Sequence, residues 1–293
     1  MKKILFTGCG TAIATPFNEN GVNLEEFKKL VEFQIKEGVD AIIVCGTTGE
    51  ASTMTEEEKI ATIKCAVETA NGRIPIIAGT GGNNTSQAIK MSKIAENLGV
   101  DGLLIVTPYY NKTTQAGLVE HYKAIASEVS LPIIIYNVPG RTGLNITPQT
   151  CLELSKIENI VAVKEASGNL SQVAEIANLC KDNLIIYSGN DDQILPVLSL
   201  GGKGVISVLS NIEPKLTHDM VDLFLQGKIE EAKNLQLKAI PLIKALFSEV
   251  NPIPVKEALN IIGYNYGIPR LPLVAMSEKG KEKLKEEIYK INK

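Results

Sequence analysis

A lysine stands inside an apolar run, Ile160-Val161-Ala162-Val163-Lys164-Glu165-Ala166-Ser167-Gly168. Lysine is seldom fully buried unless it is paired or reactive. Side chains alternate along a strand, so as a strand this run puts Ala162, Lys164 and Ala166 on one face. Two alanines beside a long amine leave room for a small ligand. Desolvation disfavours the ammonium form, and a neutral amine is a nucleophile that forms Schiff bases with carbonyl substrates. The plain alternative is a strand-end lysine whose head reaches water.

Other polar groups cluster at the ends of apolar runs. Gly46-Thr47-Thr48-Gly49-Glu50 offers backbone N–H groups and two hydroxyls at one turn. Such a turn can cradle a small carboxylate, or it is an ordinary glycine turn capped by threonine. Tyr136 shares a strand face with Ile134, so its phenol could point into a barrel mouth and move protons at a carbinolamine. A core tyrosine with a satisfied hydroxyl is the other reading. Arg141 follows a Pro-Gly turn, where a planar fork could grip a carboxylate or lie solvated in a loop. Tyr109 and Tyr110 are adjacent loop aromatics, a pattern commoner at interfaces than at ligand sites.

Eight short apolar runs must carry these groups. The first is Ile4 to Phe6, continuing through Thr11 to Phe17. The others are Ala41–Gly46, Ile74–Gly79, Gly102–Val106, Pro132–Tyr136, Val161–Lys164, Leu184–Tyr187 and Gly204–Val208. Near-continuous apolar runs suit parallel strands covered on both faces. Between them lie stretches of helical spacing such as Leu24–Gly38 and Thr55–Asn71. Eight strand–helix units predict an α/β fold, a closed (β/α)8 TIM barrel over residues 1–222. Beyond it the pattern is helical only, so residues 223–293 are expected to form a C-terminal helical extension, ending in an amphipathic helix from Ser277 to Asn292. Chemistry in such barrels sits at the strand C-termini, where the motifs above fall.

Composition excludes other classes. With a net charge of −3, no basic surface advertises nucleic acid or anionic lipid. Five scattered cysteines suit a reducing cytoplasm and argue against a zinc site or disulfide frame. Two histidines, His121 and His218, leave little for a histidine metal cluster. The stretch Met1–Cys9 has too short an apolar core for a signal peptide, and no segment has the length of a membrane span.

In combination, Thr15-Pro16-Phe17, Gly46-Thr47-Thr48-Gly49-Glu50, Tyr136-Asn137-Val138-Pro139-Gly140-Arg141-Thr142-Gly143 and Val163-Lys164-Glu165-Ala166 are specific. From about Gly10 to the C-terminus the chain resembles the dihydrodipicolinate synthases, within the pyruvate-dependent class I aldolases that include N-acetylneuraminate lyase. The Pro139-Gly140-Arg141 step is closer to the synthase subgroup.

The resemblance implies Schiff-base-dependent condensation of pyruvate with L-aspartate 4-semialdehyde to 4-hydroxy-tetrahydrodipicolinate, the first committed step toward diaminopimelate and lysine, with no external cofactor and no metal. It implies that Lys164 forms the Schiff base, and that Tyr136, Thr48 and Tyr110 form a proton relay, Tyr110 reaching in from a neighbouring subunit of a homotetramer. Thr47 and Thr48 would hold the pyruvate carboxylate and Arg141 that of the aldehyde. Gly189 and Ile206 would line the pocket through their carbonyls. Lysine-inhibited members carry a regulatory pocket whose matching positions here are Ala51, Glu56, Asn83, Gln87 and Tyr109. They often have histidine at the position of Glu56 and glutamate at that of Gln87. A neutral Gln87 gives up a charge that would pair with an ammonium, so feedback by L-lysine is expected to be weak or absent. Three rivals remain: a sister aldolase or lyase for a sugar acid or a hydroxy-oxo acid, a non-catalytic pyruvate- or metabolite-binding barrel, and a pyridoxal phosphate barrel, which would need a phosphate cradle after strands seven and eight.

Overall fold

Runs of β-branched and aliphatic residues, buried along almost their whole length, become eight parallel strands in the computed structural model, which describes residues 2–291. Met1, where the predicted barrel begins, and Asn292 and Lys293, at the end of the predicted extension, lie outside the described residues. The strands are β1 (Gly8–Ala12), β2 (Ala41–Val44), β3 (Ile76–Gly79), β4 (Gly102–Val106), β5 (Ile133–Asn137), β6 (Ile160–Glu165), β7 (Ile185–Ser188) and β8 (Gly204–Ser207). Each pairs with its sequence neighbour, and β1 closes the barrel by pairing with β8 as well as β2.

A helix follows each strand: α1 (Leu24–Lys36), α2 (Glu56–Ala70), α3 (Thr85–Asn97), α4 (Gln115–Ala126), α5 (Pro148–Leu154), α6 (Leu170–Cys180), α7 (Ile194–Ser199) and α8 (Pro214–Leu225). Their starts are written in the sequence. Asn23, Asn84, Thr114, Thr147 and Asn169 cap their helices with side-chain oxygens, and Thr55 and Glu58 form a reciprocal capping box on α2. The extension holds α9 (Ile229–Leu246), α10 (Ile253–Ile261) and α11 (Glu278–Ile291). Helix α8 runs through the expected 222/223 boundary, so the turn between the barrel and α9 comes after Leu225.

Alternation along the strands makes two cores. Ile42, Val44, Ile133, Ile135 and Val163 pack outward under the helices. Ala41, Ile43, Leu104, Ile134, Tyr136, Ala162 and Ile206 fill the barrel itself. The first predicted strand needs correction. Ile4-Leu5-Phe6 is not part of the sheet, and β1 spans only Gly8–Ala12. Phe17–Asn18 instead pairs with Gly21–Val22 in a separate small hairpin. Leu5 and Phe6 are buried in the barrel interior, where Phe6 stacks on Tyr187 with centroids 4.3 Å apart. The Tyr187 hydroxyl donates to the Phe6 carbonyl at 2.7 Å. Gly102 makes this possible, because a Cβ there would lie 2.8 Å from Leu5 Cδ1. An apolar tripeptide reads alike as a strand or as a plug, since both are simply buried.

Candidate active site

Strand register brings the amine and the phenol together. Tyr136 on β5 pairs with Lys164 on β6, and both side chains face the barrel interior. Lys164 Nζ lies 4.4 Å from the centre of the Tyr136 ring. The two residues are only 5% and 7% exposed, so the amine is in the dry environment that the run around it predicts. Ala162 below and Ala166 above belong to the same interior face. On the other side Lys164 pairs in register with Tyr187.

Thr47 and Tyr136 line a cavity of about 510 Å³, together with Gly46, Leu104 and Val106. The turn that carries the threonines is strained: Cys45 and Glu50, on either side of it, have φ of 57° and 55°. Non-glycine residues hold such angles only where the surroundings over-determine them. Here those surroundings come from the extension. Lys256 on α10 donates to Glu50 Oε1 at 2.7 Å, and the backbone N–H of Arg270 donates to Glu50 Oε2 at 2.9 Å. Both side chains of the ion pair are sealed from solvent. Burial pulls the Lys256 pKa down despite its partner. Lys256 and Arg270 also sit over the Phe17 ring at 4.4 and 4.0 Å. Thr48 is 3% exposed, and its Oγ1 accepts a 3.0 Å hydrogen bond from Asn251 Nδ2.

Arg141 lies on the helical turn Pro139–Thr142 and is exposed, with Nη2 donating to the Asn251 carbonyl at 3.2 Å. A buried amide network holds the base of this loop. Asn137 Nδ2 donates to Glu165 Oε2 at 2.9 Å and Asn137 Oδ1 accepts from the Ile146 N–H at 3.0 Å. Gln172 Nε2 also donates to Glu165 Oε2, at 3.1 Å. Thus the residue after the lysine, facing the other way, anchors the loop that bears the arginine.

Gly189 follows β7, and a Cβ on it would lie 2.6 Å from that of Ala166. Ile206 on β8 is fully buried in the interior cluster. Tyr110 is 92% exposed with φ 68°, so within one chain its ring stands in solvent and does not join Thr48 and Tyr136. Ala51, Glu56, Asn83, Gln87 and Tyr109 come together as the outer lining of the same cavity. The Glu56 carboxylate is already taken by Lys90, at 2.7 and 2.8 Å.

Two groups escaped the sequence reading. Asn251 is one. Asp191 is the other: its buried Oδ2 accepts from the N–H groups of Val208 and Leu209, at 3.1 and 2.9 Å. Burial raises its pKa, and the charge of Lys164 opposes that rise. Gly189 marked the place two residues earlier, but nothing in the sequence distinguished Asp191 from Asp192. Among the described residues, no group of three or more His, Cys, Asp or Glu is placed to hold a metal ion. No described helix is long and apolar enough to cross a membrane.

The dihydrodipicolinate synthetase family model matches residues 5–291. The 4-hydroxy-tetrahydrodipicolinate synthase of Caldicellulosiruptor saccharolyticus is 60% identical over 291 residues, covering 98% of each chain. That of Acetivibrio thermocellus is 57% identical over 288 residues, with the same coverage. A crystal structure of dihydrodipicolinate synthase from Thermotoga maritima matches with a TM-score of 0.97 at 43% identity, covering 99% of each chain.

Proposed function

The chain belongs to the dihydrodipicolinate synthetase family, and from that premise we propose that it condenses pyruvate with L-aspartate 4-semialdehyde to 4-hydroxy-tetrahydrodipicolinate. It is a lyase of the class I aldolase type in diaminopimelate and lysine biosynthesis. The observation that carries this reading is the in-register pair of Tyr136 and Lys164, buried side by side in the barrel interior with Tyr136 on the cavity wall.

The chemistry follows from the groups. The Lys164 amine adds to the pyruvate ketone, and the carbinolamine loses water to give an iminium. The iminium is an electron sink, so a methyl proton leaves and an enamine forms. The enamine carbon attacks the aldehyde, a C–C bond forms, and the aldehyde oxygen takes a proton to become the hydroxyl. The acceptor's own amine then adds to the iminium carbon, closes the ring and releases Lys164. Protons move at every step, and a phenol 4.4 Å from the amine, measured to its ring centre, suits that work.

Thr48 extends the relay, with Tyr110 supplied by a second copy of the chain. The 92% exposure of Tyr110 supports this, since a residue so placed is free to enter a neighbour's cavity. The assembly is a homotetramer built from such dimers, working in the cytoplasm without a cofactor. Thr47 and Thr48 bind the pyruvate carboxylate, Arg141 binds that of the aldehyde, and Gly189 and Ile206 line the pocket.

Feedback by L-lysine is weak or absent. The outer cavity offers it a neutral Gln87 and a Glu56 already paired with Lys90. Inhibition at sub-millimolar L-lysine in a steady-state assay would contradict this. The function itself is tested by turnover of purified protein with both substrates against pyruvate alone. Consumption of both with the cyclic product formed supports it. A folded protein that consumes neither would shift the activity to another aldehyde acceptor.

A further inference from the structure

Asn251 touches two parts of the site at once. Its side chain reaches Thr48 and its main-chain carbonyl accepts from Arg141. It lies in the segment that leads into α10 of the extension, 203 residues from Thr48 in sequence, and is 6% exposed. Its Oδ1 is buried and, among the described residues, has no hydrogen-bond partner. An unpaired buried acceptor costs about 1–3 kcal/mol. Nδ2 faces Thr48, and the fold keeps it there with Oδ1 unpaired.

A threonine hydroxyl has one proton to give and lone pairs to accept with. An amide N–H can only donate. With Asn251 donating to Oγ1, the Thr48 hydrogen has to point elsewhere. We propose that Asn251 is a positioning residue that fixes Thr48 as a hydrogen-bond donor toward the reacting centre, through the Nδ2–H bond to Thr48 Oγ1. This rests on the reading of Thr48 as part of the proton relay. The contact with Arg141 runs through the backbone, so side-chain changes at Asn251 act on the proton steps and spare the grip on the acceptor.

Four proteins test it: the parent, Asn251→Ala, Thr48→Ala and the double variant, with Asn251→Asp as a fifth. Asp keeps the shape but replaces the donor with an acceptor, which reverses the bond. Melting curves establish that each is folded. Borohydride trapping of pyruvate establishes the Schiff base, and exchange of pyruvate methyl protons in deuterated water reads enamine formation without the second substrate. The expected result is a fall in kcat and exchange rate of roughly 10–100-fold in Asn251→Ala, the scale seen when groups that orient a catalytic group are lost. KM for the aldehyde should stay near the parent value. Asn251→Asp should lose at least as much, and Asn251→Ala should add little once Thr48 is already alanine.

Parent-like exchange in Asn251→Ala, or an equal further loss in the Thr48→Ala background, overturns the proposal while leaving the relay intact. Parent-like rates in Thr48→Ala remove the relay role of Thr48 and the proposal with it. Failure to trap pyruvate on the parent removes the Schiff-base reading itself.

Discussion

The floor and the mouth of the barrel use the same inward-facing strand positions for opposite ends. At the floor, Leu5 and Phe6 rise into the interior, Phe6 stacks on Tyr187, and glycine gives way to them. At the mouth, Lys164 and Tyr136 stand beside an open cavity under a strained turn. Tyr187 divides the two: it pairs in register with Lys164 but gives its hydroxyl to the floor. The floor is filled and satisfied, whereas the mouth keeps space, strain and unpaired groups. Stability and chemistry are thus separable along one barrel axis, and substitutions should sort accordingly.

The largest effect belongs at the mouth. Lys164→Ala should reduce turnover to background and abolish borohydride trapping of pyruvate; an adduct on that variant would move the nucleophile elsewhere. Tyr136→Phe should come next, with kcat lower by roughly 10²–10⁴-fold and a melting temperature close to the parent's. A parent-like kcat would take the phenol out of the proton relay.

The floor should show the reverse. Phe6→Ala empties a stacked, buried site and should lower unfolding free energy by about 3–5 kcal/mol, measured by denaturant titration, with kcat near the parent's where the protein is folded. A loss of kcat without loss of stability would erase the distinction between floor and mouth.

The smallest effect also lies away from the mouth. His218 on α8 bonds through Nδ1 to Asp40 at 2.8 Å, and Asp40 also accepts from the Cys9 N–H of β1. The Asp40 hydrogen bond raises the histidine pKa against partial burial. A raised folded pKa means the folded state holds the proton more tightly. The added stability is full below the unfolded histidine's pKa of about 6.5 and is lost as pH rises through the higher folded value. The effect should be under about 1 kcal/mol for so accessible a pair, and His218→Gln should flatten it in melting temperatures taken across that range.

The strands and the inward-facing placement of Lys164 and Tyr136 were readable in the sequence because both rest on local signals. Apolar runs of four to six residues announce covered strands, and alternation alone sets Ala162, Lys164 and Ala166 on one face and Ile134 with Tyr136 on another. What stayed hidden has long-range causes. Ile4-Leu5-Phe6 is as apolar as a strand, and it takes Gly102, on a distant strand, to make room for it as a plug. Glu50 looks like the end of a turn until Lys256 reaches it from 206 residues away. Asn251 sits in a Pro-rich breaker, where its composition suggests a loop and nothing suggests a partner. Tyr110 could be placed on a loop, but nothing local showed that its ring would stand 92% exposed.

The separation between Thr48 and Asn251, and between Glu50 and Lys256, has a consequence for how the enzyme is made. Lys164 and Tyr136 can be laid down with the barrel strands, but the threonine turn is held by residues that follow the barrel in sequence. During synthesis the amine is present long before its surroundings are complete. A nascent chain therefore carries Lys164 before the brace on the threonine turn exists, and the turn is set only when residues 251–270 have left the ribosome and docked. Assembly of the site waits on segments that follow the barrel in sequence, which makes activity a report on their docking.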